Sequence, residues 1–76
     1  MKGRATFTAR QATEIRATLD LVSRARRAGD RPQAKALRDS LRAMGFYITD
    51  WDQSQQGFER SDFDRLVSQG AIRIDG

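Results

Sequence analysis

Apolar residues recur along the first half of the chain at helical spacing. Ala12, Ile15, Leu19 and Val22 follow one another at intervals of 3, 4 and 3, and so do Ala34, Leu37, Leu41 and Met44. Each set draws one apolar stripe on an amphipathic helix. Thr8, with Gln11 three positions on, reads as a capping box that opens the first helix. The pattern carries this helix over about residues 9–28, to a left-handed stop at Gly29. Asp30 is then the N-cap of the second helix, Pro32 sits in its first turn, and Gly45 ends it. A turn of one or two residues leaves the helices no choice but an antiparallel hairpin, residues 9–44.

After Gly45 the period changes. "FYITDW" at 46–51 is β-branched and aromatic, with Phe46 and Ile48 alternating against Tyr47 and Thr49, the pattern of a half-buried strand. "DQSQQG" at 52–57 is polar and reads as a loop. Ser61 is placed to cap a short third helix, with Asp62 and Asp64 in its first turn. That helix buries Phe63, Leu66 and Val67 and stops at Gly70, before "AIRI" at 71–74 turns Ile72 and Ile74 inward and Arg73 outward. The expected fold is α+β in the order α-α-β-α-β. A helical hairpin is followed by a β-α-β unit over residues 46–75, whose small two-stranded sheet packs on the hairpin. Residues 1–8 are expected to be a flexible tail, and 9–76 a single small domain with Phe46, Phe58 and Phe63 in its core.

Composition narrows the chemistry. A chain of 76 residues buries only roughly 60% of its unfolded surface, so its core is small. It contains no cysteine and no histidine. Disulfides, zinc–thiolate sites, the usual general base and the Ser-His and Cys-His nucleophile pairs are therefore excluded. The acids Asp50, Asp52, Glu59, Asp62 and Asp64 lack the spacing of a calcium loop and are better used as caps and solvated charge. No enzyme, metal or cofactor is expected. No apolar run reaches the roughly 18 residues of a membrane span, and none follows "MKGRATFTAR" as a secretory signal would require. The default expectation is a cytoplasmic protein with no membrane partner.

Charge adds the one feature that packing leaves over. Residues 1–45 hold 11 Lys and Arg against 4 Asp and Glu, whereas 46–76 hold 3 against 6. Of the basic residues 12 are arginine, whose planar fork matches phosphate and stacks on bases. In the second helix Arg31, Lys35, Arg38 and Arg42 fall within about 60° of one another, with the centre of that stripe about 110° from the apolar one. The helix holds a single acid, Asp39, so i,i+4 pairs do not account for the stripe. Arg10, Arg16, Arg24 and Arg27 form a lateral arc on the first helix, and would merge with the stripe if both lay on one side of the hairpin.

These positions point to a nucleic-acid backbone footprint made by Arg24, Arg27, Arg31, Lys35, Arg38 and Arg42. Tyr47 and Trp51 are the candidates for stacking on bases. The alternative is a protein-interaction module, such as a small prokaryotic phage or mobile-element accessory protein. It would bind an acidic protein partner, or associate with itself through its opposite charges.

Residues 28–50, "AGDRPQAKALRDSLRAMGFYITD", resemble the C-terminal helical segment of cysteinyl-tRNA synthetases. The family pattern runs A-K-D-aromatic-x-x-A-D-x-I-R-D-x-L-x-x-x-G-I-x-L-x-D-T. Ala28, Asp30, Ala34, Arg38, Asp39, Leu41, Gly45 and Asp50 match it, and Leu37, Phe46 and Ile48 replace family residues conservatively. The family's aromatic is Arg31 in this chain, an acid is Lys35, and the threonine after the aspartate is Trp51. The next glycine lies farther along, at Gly57. In that family the region engages the anticodon end of tRNA, so the resemblance implies structured RNA as the ligand and places RNA slightly ahead of DNA.

Overall fold

The computed structural model describes residues 5–52 and 57–75. Its elements are β1 (Ala5–Thr8), α1 (Ala9–Arg27), α2 (Arg31–Ala43), a short 3-10 helix (Ile48–Asp50), α3 (Arg60–Ser68) and β2 (Ile72–Asp75). The class is the expected α+β, with three helices and a two-stranded sheet among the described residues.

The hairpin forms as its caps dictate. The Thr8 hydroxyl accepts from the Gln11 N–H at 3.1 Å, and the Gln11 side chain accepts from the Thr8 N–H at 2.9 Å. Gly29, at a φ of 74° that a Cβ would strain, turns the chain so that the Asp30 N–H reaches the Ala25 carbonyl at 2.8 Å. The Asp30 carboxylate then accepts from the Gln33 N–H and starts α2. Ala12, Ile15, Leu19 and Val22 are buried from one helix, Ala34 and Leu41 from the other, and Leu37 and Met44 pack partly buried against the same core.

The first strand departs from expectation. "FYITDW" is a turn and a 3-10 helix, and β2 pairs instead with β1, parallel, in the register Ala5↔Ile72 and Phe7↔Ile74. The β-α-β unit over 46–75 is therefore replaced by a β1-α1-α2-α3-β2 arrangement, in which all three helices form the crossover. Two alternating residues do not distinguish a strand from a turn. After Gly45, at φ 86°, the chain reverses, the Phe46 N–H bonds the Leu41 carbonyl at 2.9 Å, and Trp51 N–H closes the 3-10 turn on Ile48. The burial alternation is as read, with Phe46 and Ile48 buried and Tyr47 and Thr49 exposed. Only the backbone carrying it differs.

Of the tail expected over residues 1–8, positions 5–8 are ordered as β1 and the others lie outside the described residues. Phe7 is buried there, edge-on to Phe46 with ring centroids 6.0 Å apart. Phe46 is the hub of the core: Phe63 stands edge-on at 5.5 Å and Phe58 tilted at 5.8 Å. Most of the loop expected at 52–57 also lies outside the described residues. The third helix starts two residues earlier than predicted. Its cap is Glu59, whose N–H donates to the Asp62 carboxylate at 2.9 Å, because Ser61 already lies within the helix.

Candidate nucleic-acid interface

The charges of α1 and those of α2 have different neighbours. Three ion pairs tie α1 to α3 and its cap. Arg16 Nε meets Asp64 Oδ1 at 2.7 Å, Arg26 meets Glu59 at 3.3 Å, and Asp20 meets Arg60 at 3.3 Å. The Arg16 guanidinium also lies over the Phe63 ring, 5.4 Å from its centroid. Arg16, counted in the basic arc from its spacing alone, thus fastens α3 to α1 and leaves the candidate surface. On the α1 wheel Arg27 lies about 20° and Arg24 about 40° from Asp20, so both sit toward the flank that α3 occupies. Both are exposed in the last turn of α1, where cations also complement the helix dipole.

The stripe on α2 has another setting. Arg31 and Arg42 are exposed and Arg38 is half-buried, and none has a carboxylate partner among the described residues. Lys35 is different, since its Nζ lies 3.4 Å from Asp39 Oδ2 in an exposed i,i+4 pair. Asp39, the helix's single acid, thus pairs with one residue of the stripe and leaves the other three without such a partner among the described residues. An exposed pair of this kind is worth at most about 0.5 kcal/mol, so Lys35 is readily released to another anion.

The C-terminal end of the stripe, Arg38 and Arg42, lies beside the turn that follows α2. The Arg42 guanidinium lies over the Tyr47 ring at 5.7 Å. Arg38, Arg42, Tyr47, Ile48 and Thr49 line a depression of about 50 Å³, far too small to enclose a nucleobase. The lining residues carry two guanidinium groups, a phenol ring and a hydroxyl, a set suited to a phosphate oxygen. The sequence signal for this contact was an aromatic two residues past the helix-ending glycine, and Thr49 went unnoticed.

The two basic arcs therefore do not merge along one side of the hairpin. They come together only at its turn, where Arg27 and Arg31 bracket Ala28–Asp30. The two aromatics also part. Tyr47 is 43% exposed and belongs to the α2 groove. Trp51, placed on the Tyr47 face by strand alternation, is half-buried against the core and lines a separate depression with Phe58, Asp62, Arg65 and Leu66. The turn changes the direction of the chain between them, which an extended strand would not.

Residues 23–56 match the family model of the cysteinyl-tRNA ligase anticodon binding domain. The matched stretch opens in the last turns of α1, takes in all of α2 and the Tyr47–Trp51 turn, and so contains every residue proposed from the sequence for the interface. No curated protein and no solved structure matches the chain. No helix among the described residues is long and apolar enough to cross a membrane.

Proposed function

We propose that this chain is a small non-catalytic RNA-binding protein that holds the phosphate backbone against α2, in the cytoplasm where such a ligand is met. The observation that carries the reading is the set Arg31, Arg38 and Arg42, three arginines on one helical face without a carboxylate partner among the described residues. A charge that folding does not use remains free to displace the counterions of a polyanion. Arg38 and Arg42 lie four residues apart, about 6 Å along the helix axis, with Lys35 and Arg31 extending the same line. Arg24 and Arg27 extend it past the hairpin turn, and Tyr47 offers its exposed ring to one unpaired base.

RNA is preferred over DNA because the matched family is described as an anticodon-binding domain, and an anticodon is RNA. The departures at Arg31 and Lys35 make this helix more basic than the family pattern, in the direction that favours a phosphate ligand.

Titration of mixed tRNA and of duplex DNA into the protein tests the reading, with Trp51 fluorescence and anisotropy of labelled RNA as signals. Binding should be strongest at about 50 mM salt and fall linearly in log–log form as salt rises. Arg31→Glu/Arg38→Glu should abolish it while leaving the circular dichroism and melting temperature near those of the parent. Undetectable binding to both nucleic acids at about 50 mM salt, or unchanged binding by the double variant, would overturn the proposal.

A further inference from the structure

Between α2 and the turn after it lies the depression of about 50 Å³ lined by Arg38, Arg42, Tyr47, Ile48 and Thr49. No carboxylate is among its lining residues. Neither guanidinium has an ion-pair partner among the described residues, so two permanent positive charges stand together unneutralised. Thr49 adds an unused hydroxyl. Thr13, Thr18 and Ser40 turn their hydroxyls back onto carbonyls of their own helices. Thr49, on a single 3-10 turn, is exposed and its hydroxyl has no partner among the described residues.

The depression also stands where the charge of the chain changes sign. The stripe of Arg31, Lys35, Arg38 and Arg42 ends there, for no Lys or Arg occurs between residues 43 and 59. That interval holds Asp50, Asp52 and Glu59 instead. Asp50 follows Thr49 directly and is exposed. A polynucleotide strand laid along the stripe carries one negative charge at each internal phosphodiester. A strand that continued past the depression would bring its next phosphate toward Asp50, a like charge that repels it. A strand that ends there meets no such repulsion. Its terminal phosphomonoester carries a charge of about −1.5 to −2 at pH 7 and three free oxygens, a closer match to two guanidinium forks than a diester with a single charge.

We propose that the depression formed by Arg38, Arg42 and Thr49 is a phosphomonoester site, and that its ligand is the terminal phosphate of an RNA strand lying along α2. The proposal rests on the RNA-binding reading for the strand and gives that strand an end. Internal phosphates follow Arg31 and Lys35, and the terminal one sits between Arg38 and Arg42. Tyr47, whose ring lies under the Arg42 guanidinium, is then beside the last nucleotide. A surface of this kind distinguishes a phosphorylated strand end from a hydroxyl end, which a uniform basic stripe does not.

Internally labelled single-stranded RNAs of one sequence, ending in hydroxyls, a 5′-phosphate or a 3′-phosphate, test this by anisotropy at about 50 mM salt. One phosphorylated form should bind about tenfold tighter than the hydroxyl form, the effect of gaining a hydrogen bond to a charged group. Arg38→Gln and Arg42→Gln should each bring that ratio close to unity. Arg31→Gln should weaken all three RNAs alike and keep the ratio, since its charge meets an internal phosphate. Circular dichroism of each variant confirms that the fold is kept. Without RNA, methyl phosphate should shift the amide resonances of Tyr47, Ile48 and Thr49 at concentrations about tenfold lower than dimethyl phosphate does. Equal binding of the three RNAs would overturn the proposal and leave the RNA-binding reading intact. A ratio that survives both glutamine variants, or methyl phosphate binding no tighter than dimethyl phosphate, would overturn it as well. If no RNA binds while methyl phosphate is still preferred, the RNA-binding reading and the strand both fall, and the phosphomonoester site stands without them.

Discussion

The face that α1 shares with α3 and the outer face of α2 are both rich in arginine, yet they use it in opposite ways. Arg16 and Arg26 have carboxylates across the element boundary, at Asp64 and Glu59, and Asp20 is met by Arg60. Arg31, Arg38 and Arg42 carry the same group at a similar density, and no acid among the described residues comes to meet them. The C-terminal half of the chain supplies Asp64 and Glu59, and the fold delivers both to α1. An arginine stripe is thus structural or available according to which neighbour the tertiary fold places beside it, a distinction that helical spacing cannot make.

The largest effect should come from the core that supports both faces. Phe46 is 1% exposed and meets Phe7, Phe58 and Phe63, so Phe46→Ala should cost about 3–5 kcal/mol. In a domain this small, that cost removes most of the stability, and a thermal melt should show both faces lost in one transition. Survival of RNA binding in that variant would separate the stripe from the fold. Next comes Arg38→Gln/Arg42→Gln, which removes two phosphate partners. The slope of log affinity against log salt should fall by roughly 1.4 to 1.8, with little change in melting temperature.

Arg16→Ala tests the contrast from the other side. Its ion pair and ring contact are about a third to a half exposed, so solvent screening limits the loss to about 1 kcal/mol. Urea denaturation should show that loss while RNA affinity stays within about twofold. A tenfold loss of RNA affinity would place Arg16 among the available charges after all. The smallest effect belongs to Lys35→Gln. Losing its pair with Asp39 should cost about 0.5 kcal/mol or less, and the salt slope should drop by at most about 0.9. A larger loss of stability would mean that the α2 stripe is structural at this position.

Much of the fold was legible because its signals are local. The Thr8–Gln11 box, the Asp30 cap and the stops at Gly29 and Gly45 each act within a few residues, and each set a boundary that the structure keeps to within about one residue. The strand pairing was not legible. "ATFT" holds one large apolar residue, and only its contact with Phe46 and its register with "IRID" make it a strand. "FYITDW" carried the stronger strand composition but found no partner edge, and its alternation was satisfied by a turn that buries Phe46 and Ile48. The candidate surface divides in the same way. Arg31, Lys35, Arg38 and Arg42 share a face by periodicity alone, whereas Arg16 left the set because Asp64, 48 positions away, folds onto it.

By itself the sequence determined the two helices, their antiparallel turn, the core residues those helices bury and the excess of arginine, since all follow from intervals of three and four residues and from composition. Tertiary structure alone decided that the chain's first and last strands lie side by side in parallel, and that Tyr47 joins Arg42 while Trp51 turns to the core. It also decided which arginines meet acids. Those outcomes depend on contacts between segments far apart in the chain, where the closing of the core around Phe46 overrides local preference.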